Sequence, residues 1–393
     1  MKKDKERNKM KKLVCVILAV IMVAMFAACS SAPSSGTASG PAAIKIGGTG
    51  PLTGGAAIYG NAAKQGAEIA VEEINALGGM QIDLKYEDDT HDAEKAVNAY
   101  NALKDWGMIV SLGSVTSTPC VATSTLTNED RIFALTPSAS SPSVIAGKDN
   151  QYQVCFSDDN QGTASAKYIS SKGFAKKVAI IWKNDDVYSK GIYTTFTAAC
   201  PENGLEIVSD TTFTSDSQTD FSVQLTQAQA AGAELVFLPI YYDAASLILA
   251  QAKDMGFSPI WFGVDGMDGI LDLENFDKSL AEGVMLLTPF VPDADDEKTK
   301  SFVAKYNEKY GSTPNQFAAD AYDCVYALYQ ACQKAGVDGS WKASDVCEKM
   351  IEQFTTMTFD GLTGTGMTWD KTGAVSKDPK AVVIQNGTYV GID

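Results

Sequence analysis

One histidine, His91, stands among the 393 residues of this chain, and that scarcity is the first limit on its chemistry. A Ser-His-Asp triad, a zinc site with several imidazoles or a histidine acid/base pair would each have to run through that side chain. It falls in a Thr-His-Asp stretch just past a strand pattern, where a solvated loop residue is the plain expectation. Positive charge is also scarce. The chain has 48 Asp and Glu against 32 Lys and Arg, a net charge of −16. Seven of the basic residues fall in the first 28 positions beside two acidic ones, which leaves residues 29–393 with 25 basic and 46 acidic side chains, a net −21. Nucleic-acid surfaces need clustered positive charge, so no nucleic-acid partner is expected, and the acidity reads as solubility. A G-x-x-x-x-G-K-[ST] phosphate loop is missing too. Gly48, Gly50 and Gly54 form G-x-G-x-x-x-G, one residue out from the dinucleotide fingerprint, with Pro51 stiffening the turn. No enzyme activity, cofactor or metal centre is expected.

Cysteine is present without a metal pattern. Of eight cysteines, Cys15 and Cys29 lie near the start, and Cys120, Cys155, Cys200, Cys324, Cys332 and Cys347 have no tight ligand spacing. Cys324 and Cys332 are eight residues apart on one predicted helix, about 12 Å along its axis, too far to pair with each other. Most of the six read as buried small hydrophobes; one disulfide remains open, and the sequence does not choose it.

What is present begins with an address. Residues 1–12 are crowded with lysine, residues 13–26 form an apolar run, and Ala27-Ala28-Cys29 follows. Basic, apolar, then small is the order of an export signal, and the apolar run is short for a membrane span. Cys29 after two alanines resembles the lipobox of bacterial lipoproteins, with Phe26 where Leu is usual. The resemblance implies a lipid-modified Cys29 and a membrane-anchored, extracytoplasmic protein. The following segment, SSAPSSGTASG, is a flexible tether.

The body is arranged around the stretch IKIGGTGPLTGGAAIYGNAAKQGAEIAVEEINALGGMQIDLKYEDDT. A short apolar strand over 44–47 enters a Gly/Thr-rich loop. Ala63, Ala67, Ala70, Ile74 and Leu77 then recur at helical spacing until Gly78 and Gly79 stop the helix, and Ile82, Leu84 and Tyr86 alternate as a second strand. This is a βαβ unit. Small residues on the helix's apolar face allow close packing, and ligands of parallel α/β sheets sit beyond the carboxyl ends of the strands.

The rhythm continues. A helix is predicted over 92–106, a strand over 108–112 and a helix opened by Thr118 as N-cap with Pro119 in its first turn. A strand over 132–135 and the hydroxyl-rich loop 137–142 follow. A second α/β series starts near Gln161, with strands over 178–182, from 205, and over 235–238, 260–263 and 284–287. Helices over 296–310 and 314–335, a third helix and a β-rich tail over 381–384 and 388–392 close the chain. A chain this long suits two domains. The fold class is α/β, two doubly wound parallel-sheet lobes joined by a hinge of several crossings. The segments are a signal over 1–28, a tether over 29–41, one lobe from 42–160 plus 289–360, and the other from 161–288 plus 361–393. Two lobes joined by short crossings suit closure over something held between them.

Residues just past the strands nominate the site. One lobe supplies Tyr59, Ser117, Ser138, Ala139 and Ser140, the other Tyr188, Tyr241 and Asp265. Hydroxyls and amides near a helix start suit a carboxylate. A lone buried Asp needs a positive partner, and tyrosine faces add cation–π attraction for an ammonium group. Together they describe the seat of an amino-acid zwitterion, although serines here and Asp265 before Gly266 also suit ordinary turns.

The phrases GPLTGGAAIYGNAAKQGAEIAVEEINALGG, LGSVTSTPCVATS, FALTPSASSP, IIWKNDDVYSKG, DFSVQLTQAQAAGAELVFLPIYYDAA and WFGVDGMD resemble those of bacterial leucine/isoleucine/valine-binding proteins, type I periplasmic binding proteins of branched-chain amino-acid ABC importers. The resemblance runs from about residue 44 to 335 and more weakly to the end. It implies a monomer that binds a neutral or branched-chain amino acid and delivers it to an ABC permease and its ATPase. By position, Ser117 meets the ligand carboxylate, Ser138, Ala139 and Ser140 form the second ligand loop, and Tyr59, Tyr188 and Tyr241 are aromatic neighbours. Asp265 takes the place of the acid that pairs with the ammonium, usually Glu, with a shorter reach. Thr116 stands where one cysteine of the family's loop disulfide would be. An amide, urea or aromatic acid as cargo, or service as a ligand-sensing receptor subunit, remains the alternative.

Overall fold

The computed structural model describes residues 42–392. The export signal, lipidated Cys29 and tether expected over 1–41 lie outside the described residues. Among the described residues, no helix is long and apolar enough to cross a membrane.

Strands and helices alternate from the start: β1 (Ile44–Gly50), α1 (Ala57–Ala76), β2 (Ile82–Asp88), α2 (Ala93–Trp106), β3 (Val110–Ser114), α3 (Ser117–Glu129), β4 (Phe133–Thr136) and β5 (Gln151–Gln153). A second series follows with α4 (Asp158–Lys172), β6 (Lys177–Lys183), α5 (Val187–Ala199), β7 (Glu206–Phe213), α6 (Ser222–Ala230), β8 (Leu235–Leu238), α7 (Tyr242–Asp254), β9 (Ile260–Gly263) and β10 (Met285–Thr288). Then come α8 (Glu297–Tyr310), α9 (Gln316–Ala335), α10 (Ala343–Phe354), β11 (Lys380–Gln385) and β12 (Thr388–Ile392).

The first series makes a sheet in the order β2-β1-β3-β4-β5, with parallel pairing throughout. The second makes a sheet in the order β12-β11-β10-β9-β8-β6-β7, parallel except where β11 joins β10 and β12. The inner strands β3 and β8 are buried at every residue, as expected for parallel strands covered on both faces. After β10 the chain returns to the first layer, where α9 packs along α1 and α10 packs on β3 and β4, before β11 and β12 complete the second sheet. The chain therefore passes between the layers three times.

Local chemistry explains most boundaries. Asp92 accepts a hydrogen bond from the Lys95 amide to start α2, and Gly107 ends it at φ 93°, a left-handed cap that favours glycine. Gly66 has a different reason. A Cβ there would lie 1.9 Å from the Ala318 carbonyl oxygen, so the missing side chain lets α1 and α9 approach. The small residues of α1 serve a helix as well as a sheet.

Three expectations change. Helix α3 starts at Ser117 with Thr116 as N-cap, not Thr118. Pro119 still sits in the first turn, where its missing N–H has no intrahelical partner to lose. Helix α4 starts at Asp158, capped by Ser157, rather than near Gln161. Strand β5 was not expected, because Gln-Tyr-Gln carries no apolar alternation. Its glutamines are buried by bonding inward: Gln151 Nε2 donates to Thr127 Oγ1 at 2.7 Å, and Gln153 Nε2 donates to the carbonyls of Ala139 at 2.6 Å and Ser141 at 3.1 Å. The six cysteines of the described residues are all free and buried.

Candidate functional site

Strand β9 ends in a short turn, Asp265–Met267, that carries the acid of the site. Asp265 is 4% exposed. Its Oδ1 accepts a 2.5 Å hydrogen bond from the Tyr188 hydroxyl, whose oxygen in turn accepts the Gly266 N–H at 2.8 Å. The Asp265 amide donates to Gln161 Oε1 at 3.3 Å, and its carbonyl accepts Gln316 Nε2 at 2.7 Å. Burial pushes its carboxyl up to about 7, against the opposing Tyr188 bond. The buried lysine Lys377 pairs with Asp320 instead, at 2.9 Å. A carboxylate held in place with no cation beside it among the described residues is arranged for a charge that arrives from outside.

Aromatic rings enclose it. Tyr188, in the first turn of α5, stacks on Tyr241 at a centroid distance of 4.7 Å and an angle of 6°. Tyr59 of α1 lies 5.4 Å from Tyr241 and 4.5 Å from Phe317. Tyr59, Ser138, Tyr188, Tyr241, Asp265 and Phe317 are among the walls of a cavity of about 10 Å³. That is about the volume needed for one water, so an amino acid enters only when the walls part.

Five of the eight nominated residues, Tyr59, Ser138, Tyr188, Tyr241 and Asp265, meet at this cavity. The other three stand behind it. Ser117 Oγ accepts the Ser141 amide at 3.2 Å, tying the start of α3 to the 138–141 loop. Ala139 is buried, its amide donating to Thr136 Oγ1 at 3.1 Å. Ser140 donates to Asp158 Oδ1 at 2.7 Å. Asp158 was not nominated. It is fully buried, burial raises its carboxyl well above the usual range, and its Oδ2, like Gln161 Nε2, has no hydrogen-bond partner among the described residues. Only the Ser-Asp-Asp helix-start pattern marked it. Phe317 and Val115 sit within apolar patterns that say core and nothing more.

His91 is not a solvated loop residue. Its side chain is 24% exposed. Nδ1 lies 2.9 Å from Thr116 Oγ1, Nε2 lies 3.9 Å from Asp186 Oδ2, and the ring meets Tyr241 edge-on at 5.4 Å. Burial lowers its pKa, opposed by Asp186. Thr116 thus reaches the neighbouring loop through a hydrogen bond. Among the described residues, no group of three or more His, Cys, Asp or Glu is placed to hold a metal ion.

Residues 43–388 match the family model for periplasmic binding proteins. The Leu/Ile/Val-binding protein homolog 3 of Brucella melitensis is 34% identical over 231 residues, 58% of this chain and 62% of the relative; the match thus spans just under two thirds of that protein. Among solved structures, the leucine-binding protein LivK of Thermotoga maritima superposes with a TM-score of 0.80 at 28% identity, over 89% of this chain and 98% of its own. The branched-chain amino acid transporter substrate-binding protein LivJ of Streptococcus pneumoniae, in complex with isoleucine, gives 0.79 at 28% identity, over 89% of this chain and all of its own (100%).

Proposed function

The chain belongs to the periplasmic binding protein family, in its leucine/isoleucine/valine-binding branch, and from that premise we propose that it captures a neutral amino acid for an ABC importer. The family binds its substrates without chemical change. The observation that carries the reading is Asp265, buried, fixed by Tyr188 and without a cation partner among the described residues. In this reading the ligand ammonium meets Asp265 under the faces of Tyr59, Tyr188 and Tyr241. Its carboxylate meets Ser117 and the amides and hydroxyls of the 138–140 loop, near the positive end of α3.

The lobes drawn above, 42–160 with 289–360 and 161–288 with 361–393, open about the three crossings to admit the ligand and close to exclude water. Cys29 carries the lipid that holds a monomeric protein outside the cytoplasmic membrane. The closed form is handed to a permease and its ATPase.

A thermal-shift panel on residues 30–393 tests this, with the twenty amino acids, urea, short amides and aromatic acids. Ligand at about 100 times its Kd adds about 2.7 kcal/mol of stability, a rise of a few degrees. A rise with one or more neutral amino acids supports the reading. A flat response to all of them with a rise from an amide or aromatic acid replaces the ligand class.

A further inference from the structure

A second cavity, of about 120 Å³, adjoins Tyr241 and is not lined by Asp265. The ring of Tyr241 is a wall of both. The loop after β2 contributes His91, the end of β6 and the loop after it contribute Lys183 and Asp186, the loop after β7 contributes Gln218, and the start of α7 contributes Asp243. An apolar cavity of about 150 Å³ holds a benzene molecule, so this one has room for the end of an amino-acid side chain. Its walls are mixed, with Phe213, Ile240 and Ala244 beside charged and polar groups that a purely aliphatic pocket lacks. Lys183 Nζ gives a 3.3 Å hydrogen bond to Gln218 Oε1, and an ammonium has three donors. Asp186 is 4% exposed; its Oδ1 accepts the Ser189 amide at 3.0 Å, and its Oδ2 faces His91 Nε2 at 3.9 Å. Asp243 stands in the first turn of α7, half-buried at the cavity wall.

We propose that this chamber receives the ligand's side chain and selects an uncharged polar amino acid, one ending in a carboxamide or hydroxyl, over the aliphatic ones. The proposal rests on the reading above, in which the α-ammonium and α-carboxylate sit at Asp265 and the 138–140 loop. A side chain directed past Tyr241 then ends among Lys183, Asp186 and Asp243. A hydrocarbon end strips water from these groups and returns no hydrogen bond. An anionic end meets two carboxylates; a cationic end finds those carboxylates but shares the chamber with the Lys183 ammonium and gives it no acceptor. A carboxamide satisfies both signs, its carbonyl accepting from Lys183 and its N–H groups donating to Asp243 and Asp186. A hydroxyl does the same on a smaller scale.

Isothermal titration of the mature chain tests this with glutamine, asparagine, threonine, serine, alanine, leucine, isoleucine, valine, lysine and glutamate. Alanine is too short to reach the chamber, so it reports on the zwitterion seat alone. At least one polar uncharged amino acid is expected to bind about tenfold or more tighter than alanine and than every aliphatic one. Lys183→Met and Asp243→Asn are each expected to lower the ratio of that ligand's affinity to alanine's by about tenfold. Tighter binding of leucine, isoleucine or valine than of any polar member, or an unchanged ratio in both variants, overturns the chamber's role while alanine binding keeps the seat. No response to any amino acid overturns the seat and the chamber together.

Discussion

Tyr59 reaches from α1 to the turn of Asp265, where its hydroxyl donates to the carbonyl oxygen of Gly266 and accepts the Tyr242 amide at 3.1 Å. Tyr242 answers in the other direction. Its hydroxyl donates to the Gly55 carbonyl at 2.7 Å and accepts the Ile58 amide at 3.3 Å, with the two rings 4.7 Å apart. The helix beside the first sheet and the loops of the second are joined by reciprocal bonds right over the candidate site. Any opening that admits a ligand has to break them.

Tyr59→Phe keeps the ring and removes both bonds of its hydroxyl. Leaving the buried Gly266 carbonyl and Tyr242 amide unpaired costs the closed form about 1–3 kcal/mol. The variant is expected to bind its ligand more weakly by about that amount and to show a larger radius of gyration by small-angle scattering. Unchanged affinity together with an unchanged radius would show that the clasp does not govern closure.

Asp265 makes binding depend on pH. Its carboxyl is pushed up to about 7 by burial, and only the ionised form attracts an ammonium. Near pH 7 about half the empty sites are protonated, so capture releases about half a proton, and between pH 6 and pH 5 affinity falls about tenfold. Titrations in buffers of different ionisation enthalpy read the proton directly. Asp265→Asn is expected to flatten this dependence, and Asp265→Ala to weaken binding by about 2–5 kcal/mol through loss of the partner of a buried charge. A full pH dependence retained in Asp265→Asn assigns the titration to another group.

Much of this fold was legible because its signals are local. The Leu-Val-Phe-Leu run of β8 reads as a buried parallel strand, and Asp92 and Gly107 bracket α2. Asp265 and the tyrosines showed because they follow strands, where α/β ligands sit. The failures are non-local. His91 read as solvated because nothing near it says that Asp186 and Tyr241 cover it from 95 and 150 residues away. Strand β5 is held by its partner β4 and by glutamine side chains, not by apolar periodicity. Asp158 was passed over because the helix was expected to start near Gln161; its burial against Ser140 depends on how the 138–141 loop folds back.

The ligand-free protein is expected to be more stable at pH 5 than at pH 8. Burial raises the carboxyls of Asp89 and Asp320 to about 6 and those of Asp265 and Asp268 to about 7. Each holds its proton more tightly folded than unfolded. Each therefore adds stability that is complete below about pH 4 and is lost as pH rises through 6 to 7. His91 opposes them, since burial lowers its pKa and folding then favours its neutral form, but it is one group against four. Acids with lowered pKa, such as Asp88 and Asp149, lose their contribution only below about pH 4. Thermal midpoints across pH 4.5–8 read the slope, and a midpoint that rises steadily with pH contradicts this assignment.

Lys377 holds the last crossing in place. It is 6% exposed overall with a side chain at 1%, and its Nζ donates to Asp320 Oδ1 at 2.9 Å and Thr363 Oγ1 at 2.6 Å. Thr363 Oγ1 passes the chain on to Asp323 Oδ2 at 2.6 Å, a carboxylate that also accepts the amides of Leu362 and Thr363 at 2.8 and 2.9 Å. The segment between α10 and β11 is thereby tied to α9. Lys377→Met is expected to cost about 3–5 kcal/mol, because Asp320 is left as a buried charge without its partner. Adding Asp320→Leu removes that charge, and the double variant is expected to recover most of the loss, since an apolar replacement of a buried pair is often neutral. Urea unfolding of the three proteins separates the causes. A double variant as unstable as Lys377→Met alone means that the lysine acts through packing, and the ion pair is then incidental to the crossing.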